Sequence, residues 1–359
     1  MREKEKREFF AAANGYDGFR SYYGEIFDSL DYEHLYVLKG GSGTGKSYLM
    51  KYVAGICEEN EINVEYIYCS SDPTSLDGAV FEKDGTRVGI LDGTAPHTRC
   101  TDYPGVIDEI INLGIFWDSE ILKKRKNTIL QLINEKKECF MRGYSFLKIA
   151  GEANRAESNI ISNCLEKEKI IAQIKRSFKR IKAEENPKVD VRLISGRSMM
   201  GSYRFKTFEK IAETIYYVTD EYSSARFYLS ELVDFLRKNR QSFTYIPSPD
   251  ADNICEGVYI KNTSTAYLTM PRGNTDDIPY KKINMKRFLD SDMLSLVKQD
   301  LRMLENEKRK FDLSASACLR NAGELHFKLE NIYSATMDFS AKAKYEQQIA
   351  KRIIDCFKY

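Results

Sequence analysis

The chain has three histidines, one tryptophan and eight prolines in 359 residues, and its eight cysteines stand singly, with no CxxC pair and no short Cys/His spacing. That distribution argues against a zinc site and against a disulfide framework, so the cysteines read as reduced structural side chains. No run of about 18 apolar residues occurs, which leaves no candidate membrane-spanning helix. The opening "MREKEKREFF" lacks the apolar core of a signal peptide, and the expectation is a cytoplasmic protein with no membrane partner. An excess of charge is missing too: 55 basic against 53 acidic side chains give a net charge of +2, no global field for a polyanion. The basic run Lys123, Lys124, Arg125 and Lys126 lies among compensating glutamates and reads as a solvated helix face, so nucleic acid is not an expected partner. What remains is ample for a packed interior. Hydrophobic residues at 42% and aromatics at 12%, in a chain of this length, allow two domains of ordinary size.

The most informative stretch is "LYVLKGGSGTGKSYL", residues 35–49. A short apolar run precedes Gly40, Gly45, Lys46 and Ser47 in the spacing GxxxxGKS, and Leu49, Val53, Ile56 and Cys57 then recur at helical intervals. Strand, glycine-rich loop and helix follow in the order that a phosphate-binding loop requires. Glycines let backbone N–H groups turn toward phosphate oxygens, and the helix N-terminus adds partial positive charge. The expected nucleotide contacts are Gly40, Gly41, Ser42, Gly43, Thr44, Gly45, Lys46, Ser47 and Tyr48, with Lys46 on the β and γ phosphates and Ser47 on Mg²⁺. No [NT]KxD follows a strand, so ATP is expected rather than GTP.

A magnesium site needs a second anchor, and "TRVGILDG" supplies Asp92 at the end of an apolar run, expected on the carboxyl edge of a parallel sheet beside Ser47. Asp72 and Asp77 in "SDPTSLDG" and His97 in "GTAPHTRC" belong to the same edge in that topology, as candidates to orient water or an acceptor hydroxyl, with turn capping as the alternative for the aspartates. Position 93 is glycine where many efficient ATPases carry a glutamate base, which points either to slow turnover or to another residue doing that work.

The second half repeats the first with its ligands replaced. "IYYVTDEYSSARFYL" aligns without gaps on the loop segment, putting Asp220 for Gly40, Ala225 for Gly45, Arg226 for Lys46 and Phe227 for Ser47; Thr269 stands for Asp92. "FWDSEIL" recurs as "FLDSDML", and Asn134, Glu135, Lys136, Ala150, Gly151 and Glu152 recur as Asn306, Glu307, Lys308, Ala322, Gly323 and Glu324. The expected division is an active domain over 1–187 and a degenerate repeat over 188–359. Each opens with a strand and carries a charged helical extension, 118–187 and 288–359. Acidic Asp220 and Glu221 and the missing hydroxyl predict that the second half binds no Mg-nucleotide, while Arg226 reads as a solvated helix residue.

The triplet "LKGGSGTGKS", "CSSDPTSLDG" and "ILDGTAPH" resembles a bacterial family of tandem P-loop ATPases found mainly in Firmicutes, over almost the whole chain. The resemblance implies an α/β P-loop NTPase fold, a parallel sheet flanked by helices, present twice, with ATP and Mg²⁺ bound by Gly40, Gly45, Lys46, Ser47 and Asp92; it supplies no substrate. Relatives usually keep a second phosphate loop, so its loss here counts against a mechanism with two active sites. Three functions follow as expectations: a Mg²⁺-dependent ATPase, a phosphotransferase using Asp72, Asp77 or His97 as base with Arg99 as clamp, and a non-hydrolysing switch for a protein partner or a second copy.

Overall fold

The computed structural model describes residues 5–95, 101–179, 181–251, 253–271 and 278–358. Its first half runs β1 (Arg7–Phe10), β2 (Ala12–Gly15), β3 (Gly18–Ser21), α1 (Tyr23–Ile26), β4 (His34–Lys39), α2 (Lys46–Glu59), β5 (Asn63–Tyr68), β6 (Leu76–Lys83), β7 (Thr86–Asp92), β8 (Asp108–Asn112), α3 (Ser119–Lys124), α4 (Lys126–Asn163) and α5 (Lys167–Ser177). The second repeats it: β9 (Val189–Val191), β10 (Ser195–Ser198), β11 (Gly201–Arg204), α6 (Thr207–Ile211), β12 (Thr214–Val218), α7 (Ala225–Lys238), β13 (Phe243–Pro247), β14 (Cys255–Ile260), β15 (Thr265–Thr269), β16 (Lys281–Ile283), α8 (Ser291–Ser334) and α9 (Phe339–Asp355).

The two six-stranded sheets have the same order, β1-β5-β6-β7-β4-β8 and β9-β13-β14-β15-β12-β16, so the internal repeat is one of topology as well as sequence. The strands near residues 7 and 190 complete their own sheets, β1 on β5 and β9 on β13. The sheets are mixed, which corrects the expectation of a parallel sheet: β6 runs antiparallel to both β5 and β7. The cause is local. Asp84 and Gly85, with φ of 51° and 88°, form a two-residue turn between Lys83 and Thr86, a connection that joins antiparallel neighbours only.

Alternation along the strands sets the layers. In β4, Leu35 and Val37 face a core shared with Ile215, Tyr217, Ala266 and Leu268 of the second sheet, while Tyr36 and Leu38 face α2. The two sheets therefore pack toward each other, with α1 and α6 contributing Tyr23, Ile26 and Phe208 to that core, and helices cover the outer faces. Each outer layer takes a helix from the other half. Ile349, Ala350 and Ile353 of α9 join the core under α2, and Ile170 and Ile174 of α5 join the core under α7. The long helices α4 and α8, of 38 and 44 residues, pack on each other, with Gly143 beside Cys318 and Phe146 stacked on Phe311. Among the described residues no helix is long and apolar enough to cross a membrane.

A charged pair also crosses between the halves. Arg192 Nε and Nη2 donate to Glu65 Oε2 at 3.0 and 2.8 Å. Burial would raise the Glu65 carboxyl, but the charge and hydrogen bonds of Arg192 outweigh it and hold the pKa below its ordinary value. A carboxylate lowered in this way stabilises the fold above its unfolded pKa, and the contribution is lost as pH falls through the folded pKa. Replacing Glu65 with Gln should therefore lower the urea midpoint at pH 7 and flatten its fall on acidification below about pH 4; parallel pH profiles for the two proteins would contradict the assignment.

Candidate functional site

β4 ends at Lys39 and α2 begins at Lys46, so residues 40–45 span the gap between a buried strand and a helix N-terminus. Gly43 and Gly45 have φ of 72° and 78°, the left-handed conformation that glycine adopts without a Cβ penalty. Thr44 Oγ1 donates to the Gly41 carbonyl at 2.9 Å and closes the loop from within. The Lys46 ammonium folds back over it, donating to the carbonyls of Gly40 and Gly41 at 2.9 Å each. Its Nζ also stands 3.5 Å from Asp92 Oδ2.

Asp92 reaches this position because β7 lies beside β4 with Leu38 opposite Asp92. Its Oδ1 accepts from the N–H and hydroxyl of Thr94 at 2.8 and 2.6 Å. Burial pushes its carboxyl up, Lys46 pulls it down, and the neighbouring Asp77 adds to the rise. Asp77 is a residue of β6, not of the preceding loop, and it is buried among Tyr23, Cys69 and Asp92. Burial, with Asp77 beside them, pushes the Tyr23 phenol and the Cys69 thiol well above their ordinary range. Ser47 Oγ accepts the Leu76 N–H at 2.9 Å, which ties the start of α2 to β6. Asp72 does something else: its Oδ1 accepts from Thr74 N–H and hydroxyl at 2.9 and 2.7 Å, so it caps the turn ahead of β6. His97 and Arg99 lie outside the described residues. A side chain at Gly93 would overlap Val37 Cγ1, which gives a physical reason for the missing glutamate there.

The opposite wall comes from the C-terminal repeat, which the motif reading did not anticipate. The last turns of α8 lie on the loop: a Cβ on Gly43 would stand 2.5 Å from the Glu330 carbonyl oxygen, and one on Gly41 3.2 Å from the Tyr333 ring. His326 Nδ1 is 3.5 Å from Ser42 Oγ, and its Nε2 is 3.5 Å from Glu330. The His326 hydrogen bond holds the Glu330 carboxyl below its ordinary value against the opposing effect of burial, and Lys46 and the Gly43 N–H act in the same direction. A carboxylate thus stands beside the loop and Lys46. Lys342 of α9 is buried next to Gly45, paired with Glu346 and 5.3 Å above the centre of the Tyr48 ring. The junction between α8 and α9 is pinned in place, since Asp118 N–H donates to the Thr336 carbonyl and Asp338 N–H to that of Phe116.

The second loop is built differently. Asp220 Oδ1 accepts the Ala225 N–H at 3.0 Å, and Tyr222 and Ser223 take φ of 53° and 58° without being glycine. Lys308 of α8 donates to Glu157 of α4 at 2.5 Å and to Ser223 at 3.1 Å, while Ser223 donates to Glu157 at 3.2 Å. Arg226 is not the solvated residue expected, because it donates to Asn154 Oδ1 and to the Ser223 carbonyl at 2.8 and 2.9 Å. Phe227 packs beside Ile161, Cys164 and Leu301, an apolar contact that a serine could not make.

In chemical terms the first loop offers backbone N–H groups, a helix N-terminus, a lysine and oxygen donors at Ser47 and Asp92, whereas the second offers an internal ion pair. Among the described residues no group of three or more His, Cys, Asp or Glu side chains could hold a metal unaided. The signal for the missed wall was in the loop itself, whose Gly41, Gly43 and Gly45 all leave room for a close neighbour, although only the fold shows which neighbour. Searches with this chain find no match at the significance required among protein-family models, curated proteins or solved structures.

Proposed function

We propose that this chain is a Mg²⁺-dependent ATP-binding protein of the P-loop NTPase type, with one nucleotide site at Gly40–Ser47, and that it turns ATP over slowly. The observation that carries the reading is the Lys46 ammonium, folded over a loop with two left-handed glycines and facing Asp92. Phosphate oxygens would replace the Gly40 and Gly41 carbonyls as its acceptors, and the N–H groups at the start of α2 would take the remaining oxygens.

The donors fit a small hard cation. Ser47 accepts a single hydrogen bond from Leu76 and keeps a lone pair, and Asp92 presents a carboxylate oxygen on the same side as Lys46. Mg²⁺ held by Ser47, with Asp92 on its outer side, would neutralise charge on the phosphates. No carboxylate at position 93 can act as base, so the protein's own contribution is positioning and electrostatics. The same feature favours a second reading, a switch that binds ATP without hydrolysis. ADP release from Mg-ATP that stops on chelation supports the ATPase, whereas tight binding with no ADP supports the switch.

Glu330 opposes the nucleotide in either reading, because its carboxylate puts negative charge beside Lys46 at the loop that a phosphate would occupy. Glu330→Gln removes a negative charge from beside Lys46 and should tighten Mg-ATP binding about fivefold, equivalent to roughly 1 kcal/mol. Titration calorimetry reads this directly, and unchanged or weaker binding would show that Glu330 does not oppose the nucleotide.

A further inference from the structure

We infer that Lys342, contributed by the C-terminal helix, is a second phosphate-binding cation of the first loop, a role that rests on the nucleotide reading above. Lys342 lies in the first turns of α9 and is 2% exposed. Its Nζ stands 2.6 Å from the point where a Cβ on Gly45 would sit, so it lies against the last residue of the loop, immediately before α2. Lysine is rarely buried to this degree, and this one is placed where its charge is least welcome. The start of α2 carries the positive end of a helix dipole, Lys46 is the first residue of that helix, and the start of α9 lies there as well.

The carboxylates around it are already engaged: Glu346 pairs with Lys342, Asp92 faces Lys46, Glu330 lies between His326 and Lys46, and Asp338 caps α9 through the Ala341 N–H. Two lysines, one from each half, and two helix N-termini nevertheless converge on one loop, an arrangement of donors suited to an anion of several charges such as a polyphosphate. Glu346 holds the ammonium in place from below, and the Tyr48 ring lies beneath it at 5.3 Å. Gly45 is required for this approach, since any side chain there would meet the lysine tip. Lys46 serves the β and γ phosphates, which leaves Lys342 for the phosphates nearer the helix start. The nucleotide site is then shared between the halves, with a cation supplied by each.

The test separates charge from packing. Lys342→Met combined with Glu346→Leu removes the pair together, so neither member is left as a buried uncompensated charge, and the double variant should melt close to the wild type. It should nevertheless bind Mg-ATP and inorganic tripolyphosphate about tenfold more weakly, the loss of one charge-assisted contact. Lys342→Arg should retain most of the affinity. Lys342→Gln, which keeps a donor for Glu346, replaces the double variant if that protein does not fold, and should show the same loss. A folded variant without the cation that binds both ligands like the wild type would overturn the inference and leave Lys342 a structural residue. If Lys46→Ala is also silent, or the wild type binds neither ligand, the nucleotide reading itself falls and this role with it.

Discussion

Replacing Lys46 with alanine should weaken Mg-ATP binding by about 100-fold or more, since two or more charge-assisted hydrogen bonds worth roughly 1.5–3 kcal/mol each depend on it. Lys46 touches the Gly40 and Gly41 carbonyls and also stands beside Asp92. Its removal takes the cation from the centre of the loop and leaves the buried Asp92 carboxyl, already raised, without the charge that lowers it. The fold should persist, because the loop remains closed by Thr44 and α2 remains packed through Leu49, Met50 and Val53. Calorimetric titration of both proteins, with circular dichroism as a check on folding, measures the difference. A Lys46→Ala protein that binds within threefold of wild type would remove the loop from the account.

The second large effect concerns stability. Lys308→Met should destabilise the protein by about 3–5 kcal/mol, the range for breaking a buried ion pair by deleting one partner. Glu157 is 1% exposed and accepts from both Lys308 and Ser223, so the variant strands a carboxylate between α4, α8 and the second loop. Adding Glu157→Gln should restore much of the loss, since the remaining group is neutral and Ser223 can still donate to it. Urea midpoints for the two variants decide the matter. A Lys308→Met protein as stable as wild type would mean that the pair is solvated, and nucleotide affinity should move far less than in Lys46→Ala because Lys308 packs on the second loop and not on the first.

Much of this architecture is legible in the residues. The internal repeat appears in the common order of the two sheets, and the exchange of glycine, lysine and serine for Asp220, Arg226 and Phe227 corresponds to a loop filled by its own protein groups. Strand direction was readable as well but needed the Asp84-Gly85 turn, a two-residue hairpin signal between alternating apolar runs. Other features were not local. Nothing within α5 or α9 states which sheet receives its apolar face, because an amphipathic stripe fits any apolar surface, and the reciprocal exchange emerges only when both halves are folded. The same exchange brings Glu330 and Lys342 to a loop nearly 300 positions earlier in the chain. Asp72 and Asp77, five residues apart, looked equivalent, yet the first caps a turn and the second is buried beside Asp92. Their separation depends on where β6 begins, which no residue between them announces.

We propose one nucleotide site, on the first loop, in a protein whose second loop is filled by its own side chains. The most direct measurement is the stoichiometry of Mg-ATP binding by titration calorimetry, with Lys46→Ala and Arg226→Ala beside the wild type. One nucleotide per chain is the expected result, lost in Lys46→Ala and retained in Arg226→Ala. Two nucleotides per chain, or one that survives Lys46→Ala and disappears with Arg226→Ala, would contradict it.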